Sequence, residues 1–288
     1  MTTVVHPIAS PASTSDDTIL GEELRTIGMI WRRELIRFVR TRVRILTSLV
    51  QPLLFLFVLG YGMSTLVGST GGFDFKKFVF PGIVAMSVVS TAIFAAMSIV
   101  WDREFGFLRE MLIAPVSRTA LVLGKTAGGA TIATAQGTIM LALAPLIGVH
   151  LTATLVVEVI GLELLMAVAL TAFGVFIASR ISKMESFQVV MQLLLLPMLF
   201  LSGALFPLSG LPSWLAAITR LNPLTYAVDP LRHVVFASQR MPPAARARFP
   251  TGIELFGRTL PLGAEIGIVV AFAVVFLGLA IHAFGRPE

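Results

Sequence analysis

The sequence contains no cysteine and few charged residues. The absence of cysteine from its 288 residues excludes disulfide bonds, thiolate metal sites and catalysis by a thiol. Charged residues make up 13% of the chain, against about 25% in soluble globular domains, whereas 56% of the residues are hydrophobic. The mean hydropathy of +0.89 reflects this imbalance. The composition therefore indicates a membrane protein rather than a soluble domain.

The residue groupings that catalysis or metal binding requires are also lacking. No two of the histidines stand at the spacing of metal ligands, and no Ser/His/Asp set or carboxylate pair stands out. Gly124-Lys125-Thr126 resembles the end of a phosphate-binding loop, but the first glycine of that motif would fall on Thr119. We therefore predict no catalytic residue, no metal site and no cofactor bound by this chain.

Six apolar segments are long enough to cross a membrane. At about 1.5 Å per residue, a helix of roughly 20 residues crosses the hydrocarbon core of about 30 Å. Two small-residue pairs, Gly124 with Gly128 and Ala133 with Gly137, favour close packing of the third segment against other helices. We predict an all-α transmembrane domain over residues 43–288, with spans at about 45–67, 78–101, 126–149, 153–179, 187–206 and 262–284.

The segment before the first span divides into a tail and an amphipathic helix. Residues 1–17 are rich in Pro, Ala, Ser and Thr and lack the apolar core of a signal peptide, so we predict a disordered cytoplasmic tail. Over residues 18–42 an apolar stripe that includes Leu24 and Trp31 lies opposite a face that includes Arg25 and Arg33. Such a helix is expected to lie flat at the membrane interface.

The basic residues predict the orientation of the chain. Fourteen Lys and Arg residues fall on the side of the two termini and eight on the other side, six of them in the loop 207–261. Long loops carry little weight in this rule, so both termini are predicted to be cytoplasmic. The basic residues are scattered between apolar runs, which favours contact with membrane lipid and argues against a nucleic-acid partner.

A charged segment, Trp101 to Lys125, separates the second and third spans. Five of its first ten residues are charged, and each would cost about 2.5–3.5 kcal/mol at a bilayer centre, so we predict that the segment sits in water. Phe105, Leu108 and Met111 recur on one face of a short helix that Pro115 ends. The helix either docks a partner or is an ordinary interfacial loop helix.

The charged segment resembles the cytoplasmic loop of type-2 ABC transporter permeases, most closely the daunorubicin-resistance branch of multidrug exporters. The resemblance is carried by EFGFLR from Glu104, APVSR from Ala114 and LGK from Leu123; Phe107 departs from it, because the family usually has a small residue there. It implies a coupling helix that rests on a separate ATP-hydrolysing subunit. The coupling residues would be Glu104, Phe105, Gly106, Leu108, Arg109, Glu110 and Met111.

A second informative stretch covers residues 208–238. It is apolar but broken by three prolines, so its pieces are too short to span and are typical of re-entrant or interfacial helices. NPLTY from Asn222 and DPLR from Asp229 resemble the segment between helices 5 and 6 of the same exporter family. The resemblance implies a helical hairpin that dips in from the outer side, with motif residues Asn222, Pro223, Tyr226, Asp229 and Arg232.

Polar and adaptable side chains within the spans are candidates for the path of the cargo. Glu163 lies about ten residues into the fourth span, hence about 15 Å deep, and is either hydrogen-bonded within the bundle or directed at cargo. A methionine stripe with nearby glutamines on the fifth span either packs against helices and lipid or meets varied apolar ligands. The candidate residues are Glu163, Gln188, Met191, Gln192 and Met198.

The resemblance implies the membrane subunit of an exporter in a bacterial plasma membrane. Two membrane subunits, identical or sister chains, would pair with two ATPase subunits that bind ATP and Mg²⁺. The expected cargo is a hydrophobic drug or a lipid-like metabolite, and a glycan or glycolipid is the alternative within the family. An ion-coupled secondary transporter and an integral membrane enzyme stay open as other classes.

Overall fold

The computed structural model describes residues 16–67, 74–106, 117–208, 211–239, 243, 245, 251–255 and 258–285. The regular secondary structure of these residues is helical, apart from one antiparallel pair of two-residue strands, β1 (Glu254–Leu255) and β2 (Arg258–Thr259). Most of the predicted tail lies outside the described residues. The first helix begins at Asp16, two residues before the predicted boundary, and helix ends commonly vary by this amount.

Ten α-helices follow one another in the described chain. The helices are α1 (Asp16–Arg40), α2 (Arg42–Leu54), α3 (Gly62–Val67), α4 (Phe75–Glu104), α5 (Arg118–Leu141), α6 (Ala153–Ala178), α7 (Met184–Phe200), α8 (Ser213–Leu221), α9 (Pro223–Ser238) and α10 (Leu262–Gly285). The first span consists of α2, a π-helical turn at Phe55–Tyr61 and α3, and a 3₁₀ turn at Ala144–Ile147 follows α5.

Five helical segments in the described residues are long and apolar enough to cross a membrane. They are Ile45–Thr65, Phe75–Glu104, Arg118–Ile147, Ala153–Ala178 and Leu262–Gly285. The segment predicted as the fifth span forms α7, an apolar helix of 17 residues. It ends before residue 206 because Gly203 adopts a left-handed conformation, with φ of +76°, soon after the last helical turn.

The helix α4 forms the centre of the bundle. Nearly every residue from Phe78 to Ile93 is buried, and α5, α6, α7 and α9 pack around this stretch. Glycine permits the closest of these approaches: a Cβ atom added at Gly82 would lie 1.8 Å from the carbonyl oxygen of Ala204. The core of the protein therefore lies around α4, between this helix and its neighbours.

The amphipathic helix α1 packs against α5 through the first predicted small-residue pair. A Cβ atom at Gly124 would lie 2.8 Å from Cβ of Ile30, and one at Gly128 would lie 2.8 Å from Cβ of Glu34. The prediction of close packing at this pair is confirmed. However, Leu24 of the predicted apolar stripe is 66% exposed, whereas Glu34 is buried. The face of α1 that packs against α5 therefore includes Glu34 rather than Leu24.

The segment predicted to be re-entrant forms α8 and α9, which meet at Asn222. The Asn222 Oδ1 atom accepts a hydrogen bond from the Leu224 amide at 3.1 Å, and its Nδ2 donates to the Met198 carbonyl at 2.6 Å. Asn222 therefore caps α9 and also ties it to the end of α7. Pro223 occupies the first helical position, where its missing N–H costs nothing.

The other motif residues of α9 form hydrogen bonds with backbone groups of neighbouring segments. The Arg232 guanidinium lies 4.5 Å from the ring centroid of Phe78 and donates to the Gly203 carbonyl, while the Tyr226 hydroxyl donates to the Arg220 carbonyl. Asp229 accepts a hydrogen bond from the Gly252 amide at 2.9 Å. Burial raises the pKa of Asp229 above its ordinary value, and the nearby Arg232 opposes this shift.

Candidate functional site

A cavity of about 690 Å³ lies between α1, α2, α4 and α7. Its wall is amphiphilic, because aromatic and sulfur-containing side chains alternate with hydroxyls and amides. Pockets of this size commonly bury most of a small organic ligand. The lining residues are Glu34, Arg37, Phe38, Thr41, Thr47, Ser48, Gln51, Pro52, Ser90, Thr91, Phe94, Ala95, Met97, Ser98, Trp101, Ile132, Met184 and Gln188.

Four polar side chains of the cavity wall make no hydrogen bond within the described part of the chain: Gln51, Ser90, Thr91 and Gln188. Gln51 and Gln188 are exposed at the cavity and Ser90 is partly exposed, so these groups are accessible to water or to a ligand. Thr91 is the most enclosed of them, with 9% of its surface exposed. The wall therefore offers unused donors and acceptors along an otherwise apolar surface.

A buried network of charges closes one end of the cavity. The Lys125 ammonium lies 2.7 Å from Glu34 Oε1, 2.7 Å from Asp102 Oδ2 and 3.0 Å from Ser98 Oγ. Its two carboxylate partners come from different helices, α1 and α4, while Lys125 itself belongs to α5. The ion pairs thus hold three helices together at one point.

Two arginines of α1 complete this charge network. Arg33 Nη2 lies 2.9 Å from Asp102 Oδ2, and Arg37 Nη2 lies 3.4 Å from Asp102 Oδ1. The single carboxylate of Asp102 therefore faces three cations. Throughout, the charge network means Arg33, Glu34, Arg37, Asp102 and Lys125.

The charge network corrects one sequence prediction. The segment Trp101 to Lys125 was expected to sit in water, but Asp102 is 1% exposed and Lys125 is 4% exposed. The prediction is wrong for these two residues because each charge is matched by opposite charges from helices distant in sequence. A signal was present: Lys125 follows the first glycine of the pair that brings α1 close.

The family model for the ABC-2 type transporter matches residues 25–236, which include the cavity and the charge network. The chain belongs to the ABC-2 type transporter family. It is therefore a transport permease and a multi-pass membrane protein. Membership decides against the ion-coupled secondary transporter and the membrane enzyme that the sequence left open.

Individual relatives of the permease cover most of its length. Nodulation protein J of Rhizobium meliloti (strain 1021) is 29% identical over 214 residues, which cover 73% of this chain and 80% of the relative. Nodulation protein J of Rhizobium leguminosarum bv. viciae is 29% identical over 70% of this chain and 79% of its own length. The protein of Cyanophora paradoxa that is named as a transport permease, ycf38, is 28% identical over 73% of each chain.

The described residues include three of the predicted coupling residues, Glu104, Phe105 and Gly106. Glu104 ends α4, and its Oε2 atom accepts a hydrogen bond at 3.0 Å from the amide of Met184, the first residue of α7. Phe105 is exposed, and Gly106 has a φ of +82°, which terminates α4. The other coupling residues, Leu108, Arg109, Glu110 and Met111, lie outside the described residues.

The candidate path residues lie in different environments. Glu163 is fully buried, accepts a hydrogen bond from the Thr138 hydroxyl at 3.3 Å, and does not line the cavity. Gln188 lines the cavity, Met191 packs into the core, and Gln192 is exposed. Met198 is half-buried. The structure therefore brings Gln188 alone of the five to the cavity.

Sequence reasoning missed most of the cavity wall. The first two spans were predicted as apolar segments, and that prediction overlooked hydroxyl and amide side chains within them, including Ser48, Gln51, Ser90 and Thr91. Their spacing within each span offers a signal, because Ser48 and Gln51 are three apart and share a helix face. Among the described residues, no three His, Asp or Glu side chains come together in a way that could hold a metal ion.

Proposed function

We propose that this permease is the membrane subunit of an ATP-driven exporter that moves a lipid-like amphiphile or a hydrophobic drug out of a bacterial cell. The cavity carries this proposal, because it combines a volume of about 690 Å³ with an amphiphilic wall. Two permease chains work with two copies of a separate ATPase subunit, which binds ATP and Mg²⁺. The family normally works with such a subunit, which supports the assignment.

The helix α4 links the cavity to the coupling segment, which comprises the predicted coupling residues from Glu104 to Met111. It contributes seven of the lining residues, from Ser90 to Trp101, and then ends at Glu104 where the coupling segment begins. A push on the coupling segment is passed to α7 through the bond between Glu104 and Met184, and to α1 and α5 through Asp102. The walls of the cavity then move together as ATP binds the partner.

The proposed topology has six spans with both termini in the cytoplasm. In it, α7 and the residues up to Phe206 form the fifth span, and α8 with α9 forms a re-entrant hairpin from the outer side. The hydrogen bonds that α9 makes to the end of α7 support this arrangement, because they satisfy carbonyl groups that lipid cannot.

A glycolipid is the second candidate cargo, and the four unpartnered polar groups of the cavity favour it. A purely apolar drug would leave Gln51, Ser90, Thr91 and Gln188 without hydrogen bonds, whereas the hydroxyls of a sugar headgroup would pair with them. The two cargo classes are distinguished by Thr91→Val, which keeps the shape and removes the hydroxyl. It should weaken export of a glycolipid and leave that of an apolar drug unchanged.

The proposed cargo path is tested by filling the cavity. Ser90→Trp should reduce transport and cargo-stimulated ATP hydrolysis at least about tenfold, because the indole occupies the space that the cargo needs. Val157→Trp is the matched control, since it adds the same side chain to an exposed position of α6 outside the cavity. If the permease with Ser90→Trp transports at the rate of the control, the cavity is not the cargo site.

A further inference from the structure

The cavity carries formal charge at one end only. In the described part of the chain, two charged side chains line it, Glu34 and Arg37, and both belong to α1 beside the charge network. Every other polar group of the wall is a hydroxyl or an amide. Any selection of cargo by charge at this cavity therefore depends on these two residues.

Glu34 has its charge satisfied within the protein. Its Oε1 atom lies 2.7 Å from the Lys125 ammonium and 3.6 Å from Arg33 Nη2. A carboxylate already held between two cations has little remaining attraction for a third. Glu34 therefore does not make the cavity a site for cationic cargo, although it lines the wall.

Arg37 retains unused binding capacity. Its partner Asp102 is shared with Lys125 at 2.7 Å and Arg33 at 2.9 Å, and Arg37 is the most distant of the three cations, at 3.4 Å. The Arg37 side chain is 43% exposed and lines the cavity, so its guanidinium is accessible to a ligand there.

We infer that the end of the cavity at Arg37 binds the oxyanion of an amphiphile, a phosphate or a carboxylate, whose headgroup and chain extend along the rest of the wall. The guanidinium presents planar N–H donors that match two oxygens of such a group. Phe38 and Trp101 line the wall with Arg37 and cover the apolar part of the ligand. The inference rests on the proposed function and makes it specific: the cargo is anionic, not cationic.

The test measures binding of two matched probes to the full-length permease in nanodiscs of phosphatidylcholine. The probes are tetradecyl phosphate and tetradecyl glucoside, each with the same fluorophore at the chain end. The unsubstituted permease should bind the phosphate roughly tenfold more tightly, because one charge-assisted contact distinguishes the probes. Arg37→Gln should remove this preference without changing the affinity for the glucoside.

Two variants control for charge and for folding. Arg37→Lys keeps the positive charge and should retain most of the preference. Arg32→Gln makes the same change of charge at an exposed position of α1 that does not line the cavity, and should retain all of it. Equal affinities of the unsubstituted permease for both probes would overturn the inference. It would also be overturned if Arg37→Gln lowered the affinities for both probes equally, or if Arg32→Gln lost the preference for the phosphate to the same extent as Arg37→Gln.

Competition by inorganic phosphate distinguishes a lipid-like ligand from the free ion. At about ten times the probe's Kd, inorganic phosphate should leave tetradecyl phosphate bound, since most of the contact comes from the chain. Complete displacement would mean that the site recognises free phosphate, and the inference of an amphiphile would be wrong. Binding of both probes in Ser90→Trp would instead refute the proposed cargo path itself, so the two failures are distinguishable.

Discussion

The carboxylate of Asp102 contacts three cations, and these contacts determine how substitutions in the charge network affect stability. Lys125 and Arg33 contact one oxygen, and Arg37 lies near the other. Glu34, Asp102 and Lys125 are buried and lost most of their hydration on entering the bundle, so they hold α1, α4 and α5 together only while they remain paired. Removing one of these three charges leaves a buried charge with fewer opposite charges around it.

Asp102→Asn should lower the free energy of unfolding by about 3–5 kcal/mol, because it leaves Lys125 buried without one of its two carboxylate partners. The measurement is unfolding of the purified permease in detergent. The double variant with Lys125→Met should be less destabilised than the sum of the two single changes, since it removes both charges. Additive effects would mean that the two residues do not form an energetic pair.

Gly82 is a second position at which a single added atom is expected to change the stability of the fold. Gly82→Ala should destabilise the fold by at least about 1–3 kcal/mol, because the added Cβ would lie 1.8 Å from the backbone oxygen of Ala204, which cannot rotate away. Gly161→Ala in α6 is the control, since nothing lies within 4 Å of its added Cβ. It should be neutral or stabilising by helix propensity. Equal thermal stability of the two variants would contradict the close approach.

At the scale of elements, α4 and α9 have different tasks. The first half of α4 is the core, and its second half lines the cavity before ending at the coupling segment. The helix α9 and its cap bind backbone groups outside the helix. Asn222 and Thr225 donate hydrogen bonds to carbonyls at the end of α7, and Asp229 accepts one from the amide of Gly252. The NPLTY and DPLR motifs therefore act as anchors of the chain after α7.

Asn222 allows the two roles of such an anchor to be separated. Asn222→Asp keeps the cap on α9 and loses the donor to Met198, whereas Asn222→Ala loses both. The alanine variant should be destabilised by about 1–2 kcal/mol more than a change that preserves the cap. Thermal unfolding of both variants gives the comparison. If Asn222→Asp is the more destabilised of the two, the cap is not what matters there.

At the scale of the whole molecule, the bundle exposes apolar surface on α2 and α7. Val50, Leu54 and Val58 along the first span and Val189 and Leu193 on α7 are largely exposed, as expected of side chains that contact lipid or another membrane subunit. Other residues of α2 and α7 line the amphiphilic cavity. One face of each of these helices is thus suited to lipid or to another membrane subunit, while the other face lines the cavity.

The orientation of the whole chain is tested by labelling introduced cysteines, which the cysteine-free sequence permits without background. A membrane-impermeant thiol reagent applied to intact cells should label His150→Cys, exposed between α5 and α6, and not Ser182→Cys, exposed between α6 and α7. Positions near Ser69 and Ala244 should also be labelled, and Ser117→Cys should not. Labelling of Ser182→Cys in sealed cells would reverse the proposed topology.

The sequence by itself determined the class of the protein, its apolar helices and its family. These follow from local properties: runs of apolar residues long enough for a membrane, prolines that interrupt them, and motifs read in order along the chain. The close approach at Gly124 and Gly128 was predictable for the same reason, because two small residues four apart on a helix expose its backbone.

Only the tertiary structure decided where the charges go and what encloses the cavity. Glu34, Asp102 and Lys125 lie 68 and 23 positions apart along the chain, and the cost of burying each is offset by partners on other helices. The cavity likewise takes its wall from helices remote in sequence, so no single segment reveals it. Burial and pairing depend on how helices cross, and helix periodicity alone does not specify the crossing.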